Sequence, residues 1–129
     1  MILSQAVLEH GDDLESTYAA MHLWLRAGGV MSHGIDFKSH NLSNKWNGIW
    51  TCPDWKWKLI RGNRPFFLIN RAPHSTHLAL LRRYGFKVIC DLTVKRESEV
   101  RRCDLAAPFK TMDKNDLTIS SSYIMSVNK

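Results

Sequence analysis

Hydrophobic positions at the start of the chain change from a short continuous run to a helical spacing and back. Residues 2–7 form an apolar run that ends in charge, which is typical of a buried parallel strand. Two aspartates at 12–13 favour a helix N-terminus, and a Gly-Gly pair at 28–29 allows the helix to end before a second extended run at residues 30–37. The pattern predicts strand, helix and strand, with this apolar helix face: Leu14, Tyr18, Met21 and Leu25.

The second half of the chain predicts one helix and two more strands. A helix capped by His74 or Ser75 ends at Gly85. Residues 86–94 then alternate between apolar and other side chains, and a last strand covers residues 119–127. The alternation places five side chains of the third strand on one face: Phe86, Val88, Cys90, Leu92 and Val94.

Between these halves, residues 38–73 are less regular, and we interpret them as a Trp-rich, basic insertion. Pro53 can open a short helix that ends at Gly62. Four of the five tryptophans lie between Trp46 and Trp57, an apolar concentration that needs a surface to pack against. Packing of a lid is our main interpretation of these tryptophans, and stacking on a substrate is the alternative.

Composition adds charge and redox constraints to this picture. The chain has 129 residues, 44% hydrophobic and 23% charged, as expected for one globular domain. Its net charge of +6 includes five basic residues and no acidic one between Lys56 and Arg71, a field that favours anionic partners. Three widely spaced cysteines favour free thiols over a disulfide framework. No apolar run approaches the roughly 20 residues of a membrane span and no signal peptide is evident, so we expect a cytoplasmic protein.

Three segments resemble the second half of a class I S-adenosylmethionine-dependent methyltransferase, in that family's order. They are VLEH at 7–10 after the first strand, LRAGGV at 25–30 before the second, and LLRRYGFKV at 80–88 between the last helix and the third strand. Ala27 stands where the family usually has proline. Within the family, SHGIDFKSH at 32–40, WNG at 46–48 and NRAPHS at 70–75 resemble bacterial sugar or polysaccharide-associated methyltransferases.

The resemblance implies an α/β fold, a partial Rossmann-like sheet with the last four strands, their flanking helices and no earlier strands. Residues 1–129 would then form a single truncated domain. The family's Gly-rich cofactor loop, of the Gly-x-Gly-x-Gly type, is absent from the sequence. We therefore expect a fragment that transfers a methyl group from S-adenosylmethionine to a hydroxyl of a sugar or glycan-type acceptor, is inactive alone, and pairs with a missing N-terminal half.

The same resemblance implies the site residues. Ser4, Gln5 and Ala6 would lie beside the methionine portion of S-adenosylmethionine, at the carboxyl end of a strand. Methyl transfer to a hydroxyl needs a base, and histidine titrates near neutrality. We assign the base to His33, supported by Asp36, with His10 bordering the active site; Ser32 and His40 lie near the same strand end. An anionic acceptor would be bound by Arg64, Arg71 and His74.

Two alternatives follow from the residues themselves. His74 and His77 could join His33, Asp36 or His40 in a metal site, but no dense ligand motif is present and we expect no metal. The basic, Trp-rich segment from Trp46 to Phe67 could instead be a binding module for nucleic acid or another anion. Its helical periodicity argues against a stacking platform, so a nucleic-acid partner is disfavoured.

Overall fold

The computed structural model describes residues 1–64 and 68–129, and its described residues build one four-stranded sheet with three α-helices. The strands are β1 (Ile2–Gln5), β2 (Val30–Asp36), β3 (Phe86–Lys95) and β4 (Ile119–Asn128). The helices are α1 (Leu14–Trp24), α2 (Asp54–Arg61) and α3 (His74–Arg83). Every strand and helix predicted from the pattern is present, and the mixed α/β class is confirmed.

The strand order is β1-β2-β4-β3, so the last strand lies inside the sheet. β1 runs parallel to β2, with Ser4 opposite His33 and Gln5 opposite Gly34. β4 is antiparallel to both of its neighbours, β2 and β3. The carboxyl ends of β1 and β2 therefore lie side by side, at what we call the carboxyl edge of the sheet. Residues 6–13 follow β1 there, and residues 37–47 follow β2.

Side-chain caps explain where α1 begins and ends. The Asp13 carboxylate accepts a hydrogen bond of 2.9 Å from the backbone N–H of Ser16, which satisfies a free donor in the first turn. At the other end, the Asn128 side-chain amide donates to the carbonyls of His22 and Leu25 at 3.2 and 2.6 Å. The end of β4 thereby fixes the end of α1, and Gly28 turns the chain with a positive φ of 74°.

The prediction that five side chains of β3 share one face is wrong, because the strand contains a β-bulge. The pairing with β4 shifts between Val88 and Cys90, which leaves Ile89 unpaired. Beyond the bulge the alternation is inverted. Asp91 now lies opposite the buried Ile124, whereas Leu92 and Val94 are 62% and 57% exposed.

The hydrophobic core lies between one face of the sheet and the helices α1 and α3. On the opposite face, which we call the open face, several side chains remain accessible: Leu3 and Leu92 are 63% and 62% exposed, and Tyr123 is 40% exposed. The register places these residues together with Gln5, Ser32, Gly34, Val94 and Ser121 on that face. The buried face of the sheet carries Met31, Ile35, Phe86 and Ile124, which belong to the same core as Tyr18 and Met21 of α1 and Leu81 of α3.

Three of the four tryptophans between Trp46 and Trp57 are buried, as expected if they pack inside the protein. Trp46, Trp50 and Trp57 are 8%, 1% and 6% exposed, whereas Trp55 is 70% exposed. The indole N–H groups of Trp46 and Trp50 donate to the carbonyls of Glu97 and Arg71 at 2.8 and 2.9 Å. The described part of the insertion is thus anchored against itself and the segment after β3; Pro65, Phe66 and Phe67, which the sequence assigned to the insertion, lie outside the described residues.

Candidate functional site

Two cavities adjoin the carboxyl ends of β1 and β2. The loop cavity, about 470 Å³, lies among the residues after β2; the sheet cavity, about 400 Å³, lies on the open face. Asp36 and Lys38 line both cavities. The other residues of interest are His40, Trp46, Arg96 and Glu99 in the loop cavity, and Gln5, Ala6, Gly34, Ser121 and Tyr123 in the sheet cavity.

Asp36 is the central charged group of this edge. One carboxylate oxygen accepts a hydrogen bond of 2.8 Å from the backbone N–H of Lys38, and the other lies 3.6 Å from His40 Nε2 and 3.1 Å from Lys38 Nζ. The ring of His10 meets the ring of His40 edge-on, with centroids 5.5 Å apart. His40 therefore contacts both Asp36 and His10.

The turn after β2 carries local backbone strain. His40 and Asn41 have positive φ angles of 46° and 64°, and Ala6, just after β1, has a φ of 52°. Residues other than glycine adopt this region at a cost of about 1–3 kcal/mol, and surrounding contacts must hold them there. Such strain on both strand ends is typical of functional sites.

His33 lies behind this edge. Its side chain is 1% exposed and shares the buried face with Met31 and Ile35. A hydrogen bond of 2.7 Å joins its Nδ1 to Ser4 Oγ, and burial lowers the pKa of His33 to about 4. The imidazole is therefore neutral near pH 7, and it lines neither the loop cavity nor the sheet cavity.

The three residues predicted to hold the cofactor separate into two positions. Gln5 and Ala6 line the sheet cavity, whereas Ser4 is engaged by His33. The side-chain amide of Gln5 lies across Gly34, where a Cβ would be only 2.2 Å from Gln5 Oε1. Gly34 thus permits the Gln5 amide to lie flat on the open face beside Asp36.

Glu9 is a buried acidic residue that sequence reasoning missed. Its side chain is 2% exposed, and burial raises the pKa of its carboxyl, with the charge of Asp36 adding to the rise. Backbone N–H groups of Glu9 and Asp36 oppose part of that shift. Glu9 follows β1 within the VLEH segment, so its proximity to Asp36 depends on the parallel pairing of β1 with β2. A second, buried carboxyl therefore lies close to Asp36.

Arg71 is held inside the insertion and does not line either cavity at this edge. Its guanidinium donates to the Cys52 carbonyl and the Asp54 carboxylate, both at 2.7 Å. The same group lies over the rings of Trp57 and Phe109, 4.5 and 4.9 Å from their centroids. The side chain is 7% exposed, so its charge stabilises local packing.

His74 and Arg64 lie apart from Asp36 as well. His74 is 7% exposed, bonds to Asp91 at 2.9 Å, and lines a separate cavity of about 300 Å³. Arg64 lines another cavity, of about 420 Å³, with Asp12 and Arg61. The structure does not bring Arg64, Arg71 and His74 together into one acceptor site.

Two cations that the sequence did not single out line the loop cavity instead. Lys38 contacts Asp36, and the guanidinium of Arg96 lies 5.9 Å from the ring centroid of Trp46. Arg96 follows β3 and lies far from residues 36–46 in sequence, so only the sheet topology brings it to this cavity. Lys38 lies within the 32–40 segment, and its charge is the sequence signal that could have identified it.

The described part of the chain shows no grouping of three or more His, Cys, Asp or Glu side chains suited to hold a metal ion. None of its helices combines the length and apolar character needed to span a membrane. Cys52, Cys90 and Cys103 are free thiols.

Comparison with known proteins supports the fold. No family model matches this sequence, and no curated protein matches it. A solved structure from Listeria monocytogenes, provisionally assigned as an S-adenosylmethionine-dependent methyltransferase, superposes with a TM-score of 0.54 at 13% identity. The match covers 99% of this chain and 60% of that one, so this chain spans about three fifths of the Listeria protein. The chain therefore has the α/β fold of part of that protein.

Proposed function

We propose that this chain is the acceptor-side part of an S-adenosylmethionine-dependent methyltransferase, which methylates a hydroxyl of a sugar or glycan-type acceptor and is inactive by itself. The observation that carries the proposal is the Asp36–His40 pair at the carboxyl ends of parallel strands. Open α/β sheets bind their ligands outside these strand ends. The fold shared with the Listeria methyltransferase-like protein supports the choice of reaction.

In this proposal the proton acceptor is His40, assisted by Asp36. S-adenosylmethionine supplies an electrophilic methyl group, and the attacking hydroxyl must lose its proton. A neutral imidazole can take that proton, and the Asp36 carboxylate 3.6 Å away stabilises the resulting cation. The role moves from His33 to His40 because His33 is buried and bonded to Ser4. His33 then positions Ser4, and His10 limits rotation of the His40 ring.

The polarity of the loop cavity supports a hydroxyl-rich acceptor with an anionic group. Lys38 and Arg96 provide two cations beside the carboxylates of Asp36 and Glu99, so the cavity offers partners both to acceptor hydroxyls and to an anionic group. Arginine binds carboxylate and phosphate groups with two parallel hydrogen bonds, which suits a charged glycan precursor. These residues replace the acceptor set of Arg64, Arg71 and His74 that the sequence had suggested.

The sheet cavity fits the cofactor in part. Gln5, whose side-chain amide lies over Gly34, can hydrogen-bond a carboxylate or an ammonium group. All its lining residues come from strands and the turns that follow them, so the described chain builds one side of this cavity. Gln5, Ala6 and Asp36 would contact the methionine portion.

The nucleic-acid alternative is not proposed. A stacking platform needs exposed aromatic side chains beside basic groups. Of the four tryptophans between Trp46 and Trp57, only Trp55 is exposed, and Arg71 is used internally.

Amide chemical shifts can test the proposed site with the chain as it is. We expect titration with S-adenosylhomocysteine to shift the amides of Gln5, Ala6 and Gly34, with a dissociation constant of about 1 mM because the described residues contact the ligand from one side. Adenosine diphosphate is the control for nonspecific anion binding and should leave these amides unshifted. Shifts confined to residues 46–61, or none at saturating ligand, would contradict the proposal. Micromolar affinity would contradict the view that the site is incomplete.

A further inference from the structure

The helix α2 has two faces with different surroundings. Successive residues of an α-helix are rotated by about 100°, so residues four apart share a face. Trp57 and Arg61 lie on the inner face, where Trp57 is 6% exposed and its ring lies 4.5 Å from the guanidinium of Arg71. Trp55 and Leu59 lie on the opposite face and are 70% and 76% exposed. These two side chains form an apolar ridge, which we call the α2 ridge, on the outside of the protein.

Basic side chains flank the α2 ridge on both sides. The helical rotation places Lys56 on one side of the ridge and Lys58 on the other, and both residues are exposed. Neither lysine forms an ion pair within the part of the chain that the structure describes, and the neighbouring carboxylate of Asp54 is paired with Arg71. The sequence has no Asp or Glu between residues 55 and 90. The outer face of α2 is therefore apolar at its centre and positively charged at its margins.

The small size of the α2 ridge favours a lipid surface over a protein partner. The helix has eight residues and is about 12 Å long. A stable protein–protein interface buries about 800 Å² on each partner, which a convex ridge of two side chains does not provide. A bilayer requires less contact, because Trp and Leu side chains can enter the headgroup region while neighbouring lysines bind anionic lipids. The charge and the shape of this face both fit such a surface.

From these observations, we propose that the outer face of α2 docks this protein on a bilayer that contains anionic lipid. The α2 ridge enters the boundary between headgroups and acyl chains, and Lys56 and Lys58 contact lipid phosphates. On the inner face, Arg61 contacts Asp12 in the segment that follows β1, so docking holds the carboxyl edge of the sheet close to the lipid surface. The inference rests on α2 and does not depend on methyl transfer.

Co-sedimentation of the purified chain with lipid vesicles tests this proposal. We expect binding to phosphatidylcholine vesicles that contain about 30% phosphatidylglycerol, and at least about tenfold weaker binding to phosphatidylcholine alone. Trp55→Ala should weaken binding to the anionic vesicles at least about tenfold. Lys56→Gln and Lys58→Gln should each weaken it about fivefold at low salt. Trp24→Ala is the matched control, because Trp24 is 75% exposed on α1, and it should leave binding within about twofold of the wild type.

Circular dichroism of each variant verifies that a loss of binding does not come from unfolding. Failure of the wild type to bind anionic vesicles would overturn the proposal, and so would an equal loss in Trp24→Ala. A dimer that Trp55→Ala dissociates, without vesicle binding, would assign the α2 ridge to self-association. Binding of a single-stranded oligonucleotide that Trp55→Ala abolishes, without vesicle binding, would assign it to nucleic acid. None of these outcomes alters the amide-shift test of the cofactor site, which contains no lipid.

Discussion

Replacing Trp50 by alanine is expected to lower the free energy of unfolding by about 3–5 kcal/mol. The side chain is 1% exposed, and its indole N–H donates to the Arg71 carbonyl at 2.9 Å. The substitution leaves a cavity and removes the partner of that buried carbonyl, and both effects destabilise the folded state. Urea denaturation followed by circular dichroism measures the change.

Trp55 provides the matched control for this experiment. It lies on α2 in the same insertion and is 70% exposed, so Trp55→Ala should change the free energy of unfolding by no more than about 0.5 kcal/mol. Equal effects of the two substitutions would contradict the packing of the insertion. A small effect at Trp50 would also remove support for the loop cavity as a binding site, because the walls of that cavity belong to the same packed segment.

Acidification is expected to destabilise the protein strongly through two buried histidines. Burial lowers the pKa of His77 to about 3, with the nearby His74 and His33 adding to the shift, and lowers that of His33 to about 4. Between these values and the ordinary pKa of 6.5, the unfolded chain binds more protons than the folded one. The free energy of unfolding should therefore fall with decreasing pH, by about 1.4 kcal/mol per pH unit for each histidine.

Glu9 acts in the opposite direction over part of this range. Its pKa is raised by burial, so the folded state binds the proton first as the pH falls toward 4.5. This uptake offsets part of the loss caused by the histidines.

His77 itself faces Tyr18, whose hydroxyl is 2.9 Å from Nδ1, and the ring of Phe37. Neither partner carries a charge near neutrality.

The slope of stability against pH, measured between pH 7 and 4.5, separates titration from packing. His77→Asn should reduce that slope by about 1.4 kcal/mol per pH unit, which corresponds to one proton. This change in slope is independent of how much the substitution alters the free energy of unfolding at neutral pH. Leu81→Ala is the control, because Leu81 lies on the same helix and is 1% exposed. It should lower stability at every pH and leave the slope unchanged. An unchanged slope in His77→Asn would show that this histidine is not neutral in the folded state.

The pattern of the chain predicted the strands and helices because the signals were local. The acidic start of α1 and the glycines at 28, 62 and 85 each act within a few residues. The bulge at Ile89 was not predictable in this way, because an apolar residue fits either phase of the alternation. Likewise, the sequence could not bring Arg96 to Asp36, since that depends on the order of strands in the sheet.

One signal at the site was present in the sequence. His33 has the same parity along β2 as Met31 and Ile35, two apolar residues, so alternation indicates the buried side for all three. Asp36 has the opposite parity. The proposed pair Asp36–His40 spans the strand end and the following turn, where His40 has a positive φ. That conformation is not encoded by periodicity.

The affinity of two variants for S-adenosylhomocysteine tests the central claim, that the sheet cavity at the carboxyl edge holds the methyl donor. Ser121 and Val127 lie on the same strand and the same face, opposite Asp36 and Val30 respectively. Ser121 lines the cavity and Val127 does not. Ser121→Phe should weaken binding at least about tenfold, and Val127→Phe should leave it within about twofold of the wild type. Unchanged affinity in Ser121→Phe, or an equal loss in Val127→Phe, would contradict the account.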